Sequence, residues 1–407
     1  MITNLKIVFI AVIVLLSAAQ VCAQNDTTLL KRDSLAIVQD TVPARHHIAV
    51  FTPLYLDSAF DAAGNYRYSK NFPKFISPGL EFWEGIQLAI DSLKQEGIEA
   101  DIHVYDTRSA KNKFESVITG EEIKQMNLII GHVTVNEAAR LATLAAQLNI
   151  PFINANLPND ASVSNNPQFV VLNSTLATHC AGIYKLLQRN FALSNITVFT
   201  KKGAQEDRLK QYFTEIEKST AGVPLKLKYI TLSPAFTQQQ LQAYLDSNIT
   251  NVCLVVSLDV NFSQAICQTL AALSPSYAST VIGMPTWDVI DFDKDQFNGI
   301  EIYYSTPFYI APTDKVAIRI NEEFKNNFFS RPSDMVYRGF ETLYHFAHLL
   351  NLHGANISSS LGDKKFMLFN EFDIQPVIGK QTNTLDYFEN KKLYFIRKVD
   401  GVIKGVY

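Results

Sequence analysis

Cysteine is scarce in this chain: four in 407 residues, one of which, Cys22, falls in an apolar leader. Removal of that leader leaves Cys180, Cys253 and Cys267, an odd count with at least one free thiol, so no disulfide framework is expected. Cys253 sits in the apolar run NVCLVVS and Cys267 in the helical stretch QAICQTLAAL, which points to buried, inert thiols. Catalytic signatures are also missing. There is no GxxxxGK[ST], no GxGxxG after a strand, no GxSxG elbow and no HExxH. With no nucleophile, base and orienting partner to assemble, neither an enzyme nor a bound cofactor is expected. Basic runs are too short to follow a phosphate backbone and the formal net charge is −3, which excludes nucleic acid as a partner.

Metal-binding patterns fail on inspection. DFDKDQFNG, residues 291–299, starts like a calcium loop but has Gln296 where glycine belongs and Ile302 where a bidentate glutamate belongs. His345 and His348 lie one helical turn apart, with His353 beyond, yet no cysteine or carboxylate is spaced to complete a site. No metal is expected.

No apolar run reaches the ~20 residues of a membrane-spanning helix. The longest, Ile7 to Leu16, lies after Lys6 and precedes small residues, the pattern of an export signal cleaved after Ala23. A lipid anchor at Cys22 is the lesser alternative, because Ala19-Gln20-Val21 matches a lipobox poorly. Residues 24–45 read as a flexible polar leader, so order is expected from His46.

From His46 onward the chain is rhythmic. Short apolar runs (HIAVFTPL, ADIHVYD, NLIIG, IPFINA, QFVVLN) alternate with helical patterns, which argues for a parallel sheet covered by helices. In the first helix, Ser77 suits the N-cap, Pro78 the first turn, and Trp83, Ile86, Ile90 and Leu93 form an apolar face that ends before Gly97. The rhythm restarts at LATHCAGIYKLLQRN and runs to TVIG. Two α/β lobes, each on a sheet of about six strands, are therefore expected. The remaining strand GIEIYYSTPFYI, two helices and a terminal hairpin turning at Asp400-Gly401 are placed back on those lobes.

NLIIGHVTVNEAARL, residues 127–141, holds the most informative turn. One glycine cannot wrap a pyrophosphate, but Thr134 and Glu137 have capping-box spacing. The turn also lies at the carboxyl end of a parallel strand, where a helix start offers amides to an anion. A structural cap and a ligand contact are both open at this point.

The order IAVFTPLYLD, EFWEGIQLAIDSLKQEGIEADIHVYDTRS, NLIIGHVTVNEAARLATLAAQLNIPFINAN, VCLVVSLDVNFSQAICQTL, VIGMPTWD and DMVYRGFETLYHFAHLL resembles type I periplasmic binding proteins, in particular the branched-chain amino-acid receptor group that serves ABC transporters. That resemblance implies two Rossmann-like lobes with parallel sheets joined by three crossovers. It divides the chain into 46–172 plus 300–370 for the first lobe and 173–299 plus 371–407 for the second. It also implies a periplasmic protein that captures a small polar ligand, an amino acid or related anion, for an ABC permease. Carried over by position, His132 lies in the ligand turn, Thr134 donates to the anion, and Asn154 and Asn156 add donors. Ser257 with Asp259, and Trp287 with Asp288, complete the cleft from the second lobe; either aspartate receives an ammonium. Tyr55 lies at the rim, and the aromatic segment 57–77 beside the mouth. The same segments suit a second class, a cell-envelope module that acts as scaffold or regulator of peptidoglycan-related enzymes.

Overall fold

The computed structural model describes residues 45–406 except 70, 71 and 221, so the expected export signal and leader lie outside the described residues. Two seven-stranded sheets organise the rest. The first runs in the order β11-β12-β5-β4-β3-β1-β2 and the second β14-β13-β10-β9-β8-β6-β7. The first-sheet strands are β1 (His46–Thr52), β2 (Ala100–Asp106), β3 (Leu128–Gly131), β4 (Phe152–Asn154), β5 (Phe169–Val171), β11 (Ile374–Ile378) and β12 (Leu385–Asn390). Those of the second are β6 (Asn195–Thr200), β7 (Lys226–Thr231), β8 (Asn251–Val255), β9 (Ser279–Gly283), β10 (Glu301–Thr306), β13 (Tyr394–Val399) and β14 (Val402–Val406). Pairing is parallel through both centres and antiparallel only at β11–β12, β10–β13 and β13–β14. The long helices are α1 (Ser77–Gln95), α2 (Val135–Leu148), α3 (Leu176–Phe191), α4 (Ala204–Ser219), α5 (Val260–Leu273), α6 (Lys315–Phe328) and α7 (Asp334–His353).

The chain passes between the sheets three times, near 172–175, 306–309 and 390–394. This corrects the expected lobe boundaries. Glu301–Thr306, expected in the first lobe, pairs in parallel with β9 in the second sheet. Residues 374–390, expected in the second lobe, form two strands of the first sheet. Pro376 accounts for part of the difference. It breaks the strand pattern of IQPVI and is tolerated because β11 is an edge strand. The terminal hairpin turns at Asp400-Gly401, with φ of 49° and 72°, the left-handed pair a tight hairpin turn requires.

Buried side chains join the crossovers. Glu389 accepts from the Thr175 amide at 2.7 Å and the Thr178 hydroxyl at 2.6 Å, and pairs with Lys391 at 2.5 Å. The Ser174 hydroxyl donates to the Asn390 carbonyl at 2.7 Å, and His179 Nδ1 lies 2.8 Å from Ser305 Oγ. First, second and third passages are thus cross-linked by hydrogen bonds sheltered from water, where each counts for more than at the surface.

The helix α1 starts one position away from expectation. Its N-cap is Ile76, without a side-chain cap, and Ser77 is already helical. Its most buried face is Phe82, Ile86, Ala89 and Leu93, while Trp83 and Ile90 are half-buried beside it. The neighbouring helix accounts for the shifted face. A Cβ on Gly85 would fall 1.9 Å from the Val336 carbonyl, and one on Gly339 2.1 Å from that of Phe82, so α1 and α7 touch backbone to backbone. Together they cover one side of the first sheet, packing on Ile48, Val50 and Ile130.

His132 joins this core. Its ring stacks on Phe82 at 5.4 Å, and its Nδ1 is buried without a partner. Burial first, and the Arg338 cation second, push its pKa down to about 4.

This packing can be tested at two residues. Gly339→Ala forces the helices apart and should lower stability in urea unfolding by at least about 1–3 kcal/mol; a neutral result would show that the helices separate freely. His132→Phe keeps the stack but removes a group that is neutral when folded and takes a proton near 6.5 when unfolded. That group's contribution is present above 6.5 and lost as pH falls toward 4. Between pH 6.5 and 5 the variant should therefore lose about 2 kcal/mol less stability than the parent; parallel curves would contradict the buried, neutral histidine.

Candidate ligand cleft between the lobes

The turn after Gly131 folds as its capping-box spacing requires. Thr134 N-caps α2 with its Oγ1 3.5 Å from the Glu137 amide, and the Glu137 carboxylate accepts from the Thr134 amide at 2.8 Å and the Thr134 hydroxyl at 2.9 Å. Glu137 is itself paired with Arg108 at 3.1 Å. The protein's own carboxylate thus stands at this helix start, on the Thr134 amide. The Val133 and Leu157 amides nearby are engaged too. Asn156 brackets Val133, accepting from its amide at 2.9 Å and donating to its carbonyl at 3.0 Å; Asn154 does the same to Leu157 at 3.1 and 3.2 Å. His132, Thr134, Asn154 and Asn156 thus stand near the ends of β3 and β4, the last three holding loops in place and His132 packing on Phe82.

The second lobe is similar. Ser257 donates to Glu206 at 2.7 Å. Asp259 caps α5 by accepting from the Phe262 amide at 3.1 Å and pairs with Lys201 at 2.5 Å. Hydrogen bonding from Lys201, more than any other cause, holds the Asp259 carboxyl below its usual pKa. Trp287 is fully buried over Gly283, where a Cβ would lie 2.0 Å from its ring, and its Nε1 has no partner among the described residues. Tyr55, at the end of β1, has φ 56° and meets Phe75 edge to face at 4.9 Å.

An open cavity of about 520 Å³ lies between the lobes, within one or two residues of Asn156, Ser257, Asp259 and Trp287, while no residue of the turn after Gly131 lines it. The first lobe contributes Pro158, Asn159, Asp160, Arg338 and Tyr387; the second contributes Gln205, Arg208, Tyr212, Leu258, Thr286 and Asp288. The floor is made by the crossovers, Asn173–Ala177 and Thr306–Phe308. Of the nine residues expected in the site, Asp288 alone lines it. Burial first, then the Asp334 charge, raise the Asp288 pKa.

Arg338 is the residue that sequence reasoning missed. Its guanidinium lies 3.9 Å over the Phe308 ring, and its Nε is sealed from solvent without a hydrogen-bond partner. Asp334, Asp288 and Glu341 act on it through space, but no described carboxylate reaches ion-pair distance. Burial pushes its pKa down to about 10, which leaves it cationic at neutral pH. Arg208, by contrast, is exposed and donates to the Tyr212 hydroxyl at 2.9 Å. A second cavity of about 240 Å³ adjoins, sharing Asp288, Thr306, Phe308 and Arg338 as walls. There Glu341 accepts two hydrogen bonds from Asn370, each at 2.7 Å, although burial raises its pKa to about 8. The missed signal was a single arginine in the apolar helix MVYRGFETLYHFAHLL; Asp334, four residues earlier, suggests an ordinary surface pair that does not form.

No family model and no curated protein matches this chain. Solved structures do. A Rhodospirillum rubrum protein described as a branched-chain amino acid ABC transporter superposes with a TM-score of 0.65 at 12% identity, covering 88% of this chain and 99% of its own. The periplasmic ligand-binding protein of a branched-chain amino acid ABC transporter from Burkholderia xenovorans gives 0.58 at 13%, covering 89% and 95%. An ABC transporter substrate-binding protein from Desulfitobacterium hafniense, in complex with Leu, gives 0.54 at 12%, covering 88% and 99%. Such likeness at low identity speaks to architecture: this chain has the fold of the type I periplasmic binding proteins.

Proposed function

We propose that this is an exported, non-catalytic solute-binding protein of the periplasm, which captures a small polar ligand, an amino acid or related anion, and presents it to an ABC permease. The observation that carries this reading is the cavity itself. It is walled by both lobes and floored by the crossovers, so bending at the crossovers changes its width and a ligand touching both walls favours the closed state. Its size lies within the range of small-molecule sites, and its walls mix apolar side chains with a few polar ones. Neighbours of the same fold are transporter binding proteins, one of them with leucine, which supports the reading by analogy. Within the site, Arg338 and Arg208 offer positive charge and Asp288 and Asp160 negative charge, a set that suits a ligand bearing both signs.

One observation favours the second reading, an envelope scaffold without a ligand: the Thr134 helix start holds the protein's own Glu137. The two readings differ in a thermal-shift screen of amino acids and small organic acids. At about 100 times its dissociation constant a ligand adds about 2.7 kcal/mol, so the melting temperature should rise by several degrees. Pro158→Trp, on an exposed part of the cavity wall, should abolish the shift while leaving the melting temperature of the free protein nearly unchanged. A flat screen across the panel would contradict solute binding and favour the scaffold.

A further inference from the structure

We propose that the ligand enters this cavity carboxylate first and docks that carboxylate on the guanidinium of Arg338, on α7, instead of at the helix start behind Gly131. The proposal rests on the solute-binding reading and specifies its anchor. Three observations converge on it. At the Thr134 helix start Glu137 already takes the Thr134 amide and hydroxyl and is paired through its other oxygen with Arg108, so an incoming anion there would compete with a carboxylate already in place. Arg338 presents the opposite situation. It is a cation within the protein, it walls both cavities between the lobes, and no described carboxylate pairs with it.

The third observation is the stack. Phe308 covers a face of the guanidinium at 3.9 Å, and a cation–π contact of this kind engages the face; with Nε sealed, the N–H groups left for a ligand are those of the two terminal nitrogens. Together they form a planar fork matched to the two oxygens of a carboxylate. Asp334, Asp288 and Glu341 act on this cation only through space, and a largely buried cation that no described carboxylate pairs with directly is incompletely compensated in the free protein. The ligand's carboxylate supplies the missing partner when it binds, so Arg338 contributes affinity and selects for charge together. Asp288 shares the cavity wall and would face whatever donor or amine the ligand carries.

The test uses the full mature chain at constant ionic strength. Leucine, glutamate and succinate are titrated by calorimetry alongside leucinamide, succinamide and inorganic phosphate. At least one of the carboxylates should bind, with its amide about 100-fold weaker or more. Arg338→Met should weaken that carboxylate about 100-fold, Arg338→Lys should restore part of the loss, and Thr134→Ala should change affinity by less than about threefold. Arg338→Met without ligand should melt no lower than the parent, because a cation without a partner has been removed. Four results would overturn the proposal: carboxylate affinity that survives Arg338→Met, phosphate preferred over every carboxylate, no carboxylate bound at all, or a free Arg338→Met protein that melts well below the parent. Equal binding of acid and amide would also overturn it while leaving solute binding intact; the Pro158→Trp result separates the two.

Discussion

The buried carboxylate of Glu389 and its neighbour Asn390 tie the passages between the two sheets, and the geometry of the cleft depends on that tie. Glu389 is almost wholly enclosed, yet it accepts from the Thr175 amide and the Thr178 hydroxyl and faces the Lys391 ammonium. A carboxylate so placed is tolerable only while its partners stay within reach. The start of α3 is therefore held beside the last strand of the first sheet. Because parallel strands point their carboxyl ends the same way in each sheet, this linkage turns two sets of βα loops toward one another. The cavity is the space that remains.

Much of this architecture was legible in the sequence, for a physical reason. Central strands buried on both faces must be apolar throughout, so NLIIG, NVCLVVS and NITVFT announce themselves. Thr134 and Glu137 were legible as a cap because the motif is local. Strands at the edges were not. Pro376 and the polar residues of LDYFEN obscure β11 and β12, while Glu301–Thr306, an interior strand, lies between the preceding strand β9 and the sequence-remote β13. The face of α1 was misread by one position because the closest contact is made by two glycines, which no apolar pattern reveals.

The candidate site was less legible than the fold. The sequence-derived residues mostly hold loops: Asn154 and Asn156 bracket backbone groups, while Ser257 and Asp259 brace the start of α5, and the turn after Gly131 does not line the cavity. Polar residues at strand ends serve the backbone first, since unsatisfied amides are costly. Asp288 lines the cavity from the short helical turn after Met284. Arg338 escaped notice because its isolation is a tertiary fact. An arginine four residues after an aspartate reads as a solvated pair, and only the folded chain separates them. The proposed anion site is accordingly the guanidinium beside the second crossover and not the amides of α2.

That placement can be observed at the atoms concerned. In a protein labelled with nitrogen-15 at arginine, and separately at backbone amides, a carboxylate that stabilises the fold would be titrated while the Arg338 Nε–H and the amides of Val135 to Glu137 are followed by NMR. Saturable movement of the Arg338 resonance, with the α2 amides still, is the expected result. Movement of the α2 amides with Arg338 unchanged would contradict the account at its centre.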